Sequence, residues 1–377
     1  MTASGLSATE FSSIEQGFMQ SALNLARRGL GKVAPNPAVG CVIVREGQVV
    51  GRGWTQPGGR PHAEAVALAQ AGESARGATA YVTLEPCAHH GKTPPCAEAL
   101  VSAGITRCVV ACGDPDERVS GKGLEILRKA GVTVDFGLME SEALSLNRGF
   151  FSRVSRGRPM VTVKVATTLD GRIATKRGES KWITGDLARQ ASQMLRVEHD
   201  AILVGSGTAL ADNPRLDVRL PGLESFSPLR VIMDGRLRLP LTSDLVARAA
   251  ECPTCLMTFD ENDSHRLKAY EDAGVKVVHI KRDDTGFVCP LTALDKLGEM
   301  GITRLLVEGG SHVIGSLLRQ GLVDEIVWFR AAKVIGGDGL PVMTGFGLEN
   351  LADAPQFRLV DSRYLGEDRM EHYCKTG

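Results

Sequence analysis

Two successive α/β domains are predicted for this chain, and three observations predict them. Short β-branched runs alternate with helical patterns on both sides of a basic, turn-rich stretch, Arg156-Gly157-Arg158-Pro159. The length of 377 residues suits two or three domains, each able to bury its own core. Hydrophobic residues at 43% and charged residues at 23% are ordinary for a globular protein and exclude a disordered or fibrous chain. A formal net charge of +0 carries no basic footprint of a nucleic-acid binder, and no apolar stretch approaches a membrane span. No export signal follows Met1, and nine cysteines, an odd number, favour free thiols and metal ligands over a disulfide framework. The expectation is a cytoplasmic protein.

Taken in order, residues 1–11 read as a disordered leader, and a first domain is expected over 12–152. Ser13 and Gln16 form a candidate capping box for a helix on which Phe18, Ala22 and Leu25 recur. Residues 39–44 and 49–54 form a hairpin around Glu46-Gly47. The small apolar pattern over 63–71 predicts a buried helix with His62 and Glu64 at its first turn. Residues 81–84, 107–112 and 132–136 read as strands, and 96–103 and 124–130 as helices. A linker is expected at 153–159, followed by a second domain over 160–377. Its strands are predicted at 161–166, 201–204, 230–233, 254–258, 275–280, 304–307 and 325–329, with a helix over 185–196.

One stretch of the first half carries chemistry. His62, Cys87 and Cys96 make three zinc ligands, which suits a catalytic site, since three protein ligands leave the fourth position to water. Glu64, two residues after His62, is the candidate proton carrier. Bound zinc can lower the pKa of its water to about 7, supplying hydroxide to attack an amidine-like ring carbon. A structural zinc with His89 or His90 as fourth ligand is the alternative, and it leaves Glu64 unexplained. Cys41, Cys108 and Cys112 read as buried hydrophobes, whereas Cys252 and Cys255 have redox spacing without the usual helical setting.

The full string Thr83-Leu84-Glu85-Pro86-Cys87-Ala88-His89-His90-Gly91-Lys92-Thr93-Pro94-Pro95-Cys96 is more specific than the ligands alone. Eight residues separate its cysteines, whereas general nucleobase deaminases usually place two between them. In this it resembles the bifunctional deaminase/reductases of riboflavin biosynthesis, over about residue 8 to the end of the chain. The resemblance implies a cytidine-deaminase-like three-layer α/β/α domain followed by a dihydrofolate-reductase-like α/β domain, with one Zn2+ and NADPH as cofactors. It implies that Asn36 contacts the pyrimidine and that His89 and Lys92 hold the substrate's 5'-phosphate.

In the second half, Gly205-Ser206-Gly207-Thr208 and Val307-Glu308-Gly309-Gly310-Ser311 each follow a predicted strand, where phosphates meet backbone N–H groups, or where a helix is simply capped. The resemblance puts Ala166, Trp182, Thr208, Gly310, Ser311, His312, Val313, Ile314, Gly315 and Ser316 against NADPH. It gives Lys164, Ser180, Arg196, Asp212, Leu216, Arg219 and Glu308 to the substrate, and sets Lys164 and Asp170 near the reaction centre. Arg196 and Arg219 offer planar forks suited to phosphate oxygens, and Trp182 is a candidate for cofactor or core packing. Relatives often carry a polar residue where Gly235 stands, so only its backbone is expected near the cofactor. The implied partners are a small pyrimidine ribosylamino phosphate and further copies of the chain through the reductase half, without nucleic acid or membrane. A nucleic-acid deaminase and a zinc-stabilised binding protein are the rival readings. The first is opposed by the neutral charge and the phosphate-like loop.

Overall fold

The computed structural model of the chain describes residues 11–89, 94–116, 119–345 and 347–376. The expected leader therefore lies outside the described residues up to position 10. Two compact units emerge, Met1–Arg156 and Gly157–Gly377. The first contains α1 (Ser13–Arg27), β1 (Gly40–Arg45), β2 (Gln48–Trp54), α2 (Ala63–Ala71), β3 (Thr79–Val82), α3 (Cys96–Ser102), β4 (Arg107–Val110), α4 (Lys122–Lys129), β5 (Thr133–Phe136), α5 (Glu140–Leu146) and α6 (Arg148–Arg156). Its sheet runs β2-β1-β3-β4-β5, antiparallel around β1 and parallel from β3 to β5.

The capping box sits one residue earlier than the sequence suggests. Ser12 Oγ accepts from the Glu15 N–H, while the Glu15 carboxylate accepts from the Ser12 N–H at 2.9 Å. Glu15 wins over Gln16 because its carboxylate also reaches Arg107 on β4 at 2.7 Å, so one side chain caps the helix and ties it to the sheet. The close seating of α2 is set by glycine. A Cβ on Gly51 or Gly53 would lie 2.2 or 2.0 Å from the carbonyl oxygens of Ala67 and Ala63, so β2 and α2 touch backbone to backbone. Ala63, Ala67 and Ala71 are buried in that contact. The helix start is thereby drawn down onto the sheet, carrying His62 and Glu64 with it.

The second unit contains β6 (Met160–Thr167), β7 (Arg172–Ala174), α7 (Asp186–Val197), β8 (Ala201–Gly205), α8 (Ser206–Asp212), β9 (Leu229–Met233), α9 (Asp244–Ala247), β10 (Thr254–Thr258), α10 (Ser264–Asp272), β11 (Lys276–His279), α11 (Pro290–Glu299), β12 (Arg304–Val307), α12 (Ser311–Arg319), β13 (Glu325–Arg330), β14 (Leu340–Pro341), β15 (Phe357–Leu365) and β16 (Asp368–Lys375). Nine strands form one sheet, β11-β10-β9-β8-β12-β6-β13-β16-β15, parallel except for the last two pairings. Alternate residues face opposite layers. Ala201 and Leu203 join Leu294, Leu297 and Leu317 of α11 and α12, whereas Ile202 and Val204 join Leu245 and Tyr270 of α9 and α10.

One expectation changes here, one element is added, and one reading is supported. The stretch 153–159, expected as a linker, begins as the last turn of α6; Arg153 and Arg156 suit the negative end of a helix, and Arg156 donates to Ser152 at 2.7 Å. The hairpin β15–β16 escaped the sequence reading because β15 is a solvent-facing edge strand with almost no buried side chain. Cys252 and Cys255 are buried free thiols, and burial pushes Cys255 up to about 11, the reverse of a redox thiol. That corner is held by Arg230, whose buried guanidinium donates to the carbonyls of Arg215, Leu245, Arg248 and Cys252.

Candidate active sites

In the first unit His62 is the residue before α2 and Glu64 lies in its first turn, while Cys96 opens α3. His62 Nδ1 stands 3.3 Å from Cys96 Sγ and 3.6 Å from Cys87 Sγ, and the three donor atoms lie within 4.8 Å of one another. A tetrahedral zinc with Zn–N of about 2.0 Å and Zn–S of about 2.3 Å needs donor separations of about 3.5 Å. The residues fit the ion without rearrangement. Cys87 Sγ also accepts the Cys96 backbone N–H at 3.3 Å. With the Cys96 side chain and His62 beside it, its thiol is held down to about 4. Glu64 is 3% exposed; burial first and the negative Cys87 second push its carboxyl up to about 7.

Glu85, which the sequence reading passed over, holds the cysteine loop. Its buried carboxylate accepts from the N–H groups of Gly121 and Gly123 at 3.0 Å each, at the start of α4. A Cβ on Gly123 would lie 1.9 Å from Pro86 O, so glycine is what lets the segment before Cys87 reach that helix. No local spacing signals this role, because the partners lie 36 and 38 positions further along the chain. Asn36 donates to Gly59 O at 3.1 Å, three residues before His62. His89 Nδ1 is buried and has no hydrogen-bond partner among the described residues. Lys92 lies outside the described residues.

The second unit holds a cavity of about 780 Å³. Of the residues expected there, Ala166, Thr208, Gly310, Ser311, His312, Val313, Ile314, Gly315 and Ser316 line it, as do Lys164, Ser180, Asp212 and Glu308. It opens where β8 and β12 end and α8 and α12 begin, so two helix starts face it. Gly309 and Gly310 turn there with φ of 138° and 79°, and Arg236, Arg238 and Arg319 supply positive charge on the wall. Glycine-lined helix starts with arginines beside them fit a dinucleotide phosphate. Gly235 and Phe259 both line the cavity, and they pack so closely that a Cβ on Gly235 would lie 2.3 Å from the ring.

Four of the expected residues stand elsewhere. Trp182 is 64% exposed, outside the cavity lining, with the Arg189 guanidinium 4.5 Å from its ring centre. The Leu216 side chain is buried in the core beside Ile202 and Val204. Arg219 is exposed and paired with Asp217 at 2.7 Å. Arg196 is buried, and its fork is taken up by Glu308, Nε to Oε1 at 2.7 Å and Nη2 to Oε2 at 2.9 Å, with Nη1 on Asp217 O. It braces a carboxylate where a phosphate was expected. Burial alone would raise Glu308, but Arg196 and Lys164, the latter 3.8 Å away, bring it down to about 2. Asp170 is also committed, accepting from Thr168 Oγ1 at 2.6 Å and the Gly336 N–H at 2.7 Å, which tie two loops together.

Three zinc-ligand side chains with a buried glutamate, and in the same chain a glycine-lined cofactor cavity, define a zinc deaminase joined to a nicotinamide-dependent reductase. Comparison with known proteins agrees for each half. Residues 12–112 match the cytidine and deoxycytidylate deaminase zinc-binding region, and residues 159–370 match the RibD C-terminal domain. The chain is 44% identical to riboflavin biosynthesis protein RibD of Aquifex aeolicus, covering 94% of this chain and 97% of that one. It is 41% identical to the Escherichia coli protein of the same name, over 95% and 98%. The solved structure of Acinetobacter baumannii RibD superposes with a TM-score of 0.86 at 41% identity, over 97% and 99% of the two chains. The chain belongs to the RibD family of riboflavin biosynthesis proteins. It is a bifunctional enzyme, a hydrolytic deaminase that uses Zn2+ and a reductase that uses NADPH.

Proposed function

We propose that the first reaction converts 2,5-diamino-6-(5-phosphoribosylamino)pyrimidin-4-one to 5-amino-6-(5-phosphoribosylamino)uracil, and that the second reduces the ribosyl to the ribityl chain. The related Thermotoga maritima protein, 35% identical with a TM-score of 0.85, carries the name of this deaminase/reductase pair. The observation that supports the first step is the triad of His62, Cys87 and Cys96 with Glu64 buried two residues from a ligand. Zinc, when bound there, acidifies a water and supplies a nucleophile at neutral pH. Glu64 takes one proton from the attacking water and gives it to the ring nitrogen, then takes the remaining hydroxyl proton from the tetrahedral carbon and gives it to the amino group, which leaves as ammonia as the C–N bond breaks. Asn36 holds the pyrimidine. His89, with its buried unpartnered Nδ1, and Lys92 hold the 5'-phosphate.

For the second step Ala166, Thr208 and the 310–316 turn, with Trp182 toward the rim, would hold NADPH, which would supply the hydride needed at the sugar C1, the ring oxygen taking a proton as the ring opens. Lys164 and Glu308, both on the cavity wall, hold the sugar hydroxyls, with Ser180 and Asp212 beside them. Arg196 acts through Glu308, which it holds in place from outside the cavity. The deaminase occupies 12–152 and the reductase 160–377. A homo-oligomer through the reductase half is supported by β15, a sheet edge on which Leu359, Val360 and Tyr364 are exposed. Nine free thiols suit a reducing cytoplasm.

Purified protein given the diaminopyrimidinone and zinc should release ammonia without NADPH, and should consume NADPH only after deaminated product forms. NADPH consumption at the full rate before any ammonia appears would reverse the proposed order. Light scattering that finds only monomer would remove the oligomer.

A further inference from the structure

We infer a second divalent-cation site, formed by Glu325, His372 and Cys374 where β13 meets β16. The strand register sets Glu325 opposite Cys374 and Val327 opposite His372. Side chains two apart on a strand share a face, so all three project to one side of the sheet. His372 Nε2 lies 3.3 Å from Glu325 Oε2, and Cys374 Sγ lies 3.9 Å from Glu325 Oε1. The three donor atoms are within 4.8 Å of one another. Zinc at about 2.3 Å from sulfur and about 2.0 Å from nitrogen and oxygen needs separations of about 3.3–3.6 Å, so a small inward shift closes the site.

The chemistry of the donors points the same way. A thiolate, an imidazole and a carboxylate together suit a borderline cation such as zinc, whereas magnesium and calcium take oxygen ligands. His372 Nε2 is buried yet makes no aligned hydrogen bond, and it faces the carboxylate. Behind the ligands Thr162 Oγ1 sits 3.4 Å from Glu325 Oε2 and 3.0 Å from His199 Nε2, while His199 Nδ1 meets Leu195 O at 2.6 Å. Burial pushes His199 down to about 3, so it stays neutral and orients Thr162 without competing as a cation. Such outer partners are what a metal site requires. Glu325 and Cys374 are buried, and half-buried His372 leaves a side open for entry and for a water ligand.

Glu325 opens β13, so the site lies at the strand starts, away from the cavity where β8 and β12 end. A zinc there would pin the terminal hairpin to the parallel sheet. The alternative is a histidine–glutamate ion pair with a thiol nearby, which binds no metal.

Stripping the full-length protein with a chelator and titrating it with Co2+ separates the two. The expected result is saturation at two equivalents, both with thiolate charge-transfer absorption, falling to one equivalent in Cys374→Ser and in His372→Gln. Ammonia release by both variants, reloaded with zinc, should match the parent. Saturation of the parent at one equivalent overturns the proposal without any variant. So does a second equivalent that persists in both Cys374→Ser and His372→Gln.

Discussion

Glu64 and Glu308 are both buried carboxylates at the floor of a site, and their surroundings push them in opposite directions. Glu64 has burial and the negative Cys87 against ionisation and sits at about 7. Glu308 lines the cavity with its side chain largely shielded, yet the paired Arg196 and neighbouring Lys164 hold it at about 2. Burial by itself therefore does not decide what a carboxylate does; the sign of the charge packed against it does. One environment suits a proton carrier, the other a permanent anion held between Arg196 and Lys164.

The comparison can be broken first by removing the metal. A chelator should abolish ammonia release while NADPH oxidation with supplied deaminated substrate continues; a parallel loss of both would mean that the two centres are coupled. Glu64→Gln comes next, with deamination falling by about 10³-fold if proton transfer is its role. Zinc content and reduction should be unchanged, and normal deamination by this variant would remove Glu64 from the mechanism. Glu308→Gln should behave differently, because it leaves buried Arg196 without its counter-charge. A loss of about 3–5 kcal/mol of stability is expected in the reductase unit, read by denaturant unfolding, together with loss of reduction and retention of ammonia release. Unchanged stability would mean that Arg196 finds another partner. The smallest effect is expected for Gly235→Ala, whose methyl group must displace the Phe259 ring. About 1–3 kcal/mol of overpacking and a several-fold weaker NADPH affinity by calorimetry should follow. Undiminished affinity would show that this corner of the cavity lies clear of the cofactor.

The two halves differed in legibility for a related reason. His62, Glu64, Cys87 and Cys96 lie within 35 positions, on a helix start and a loop whose spacing states the donor set. Their geometry followed because glycines at 51 and 53 admit the helix against the strand. Glu85 was missed although it sits inside the quoted string, since a carboxylate that caps a later helix leaves no trace in local spacing. In the reductase half the cavity collects side chains from position 164 to 345. Arg196 looked like a phosphate fork because an arginine's partner is invisible until the chain folds back and brings Glu308 to it.

The sequence by itself determined the alternation of strands and helices, the grouping of His62, Cys87 and Cys96 with Glu64 as a candidate metal site, and the glycine turns after β8 and β12. These depend on neighbours along the chain, where periodicity and spacing act directly. Only the tertiary structure decided that Arg196 braces Glu308, that Leu216 belongs to the core, and that Arg236 and Arg238 reach the cavity wall. It also brought Glu325 of β13 to His372 and Cys374 of β16. Each of these outcomes depends on which strands pair and in what register, and pairing joins residues that no local pattern connects.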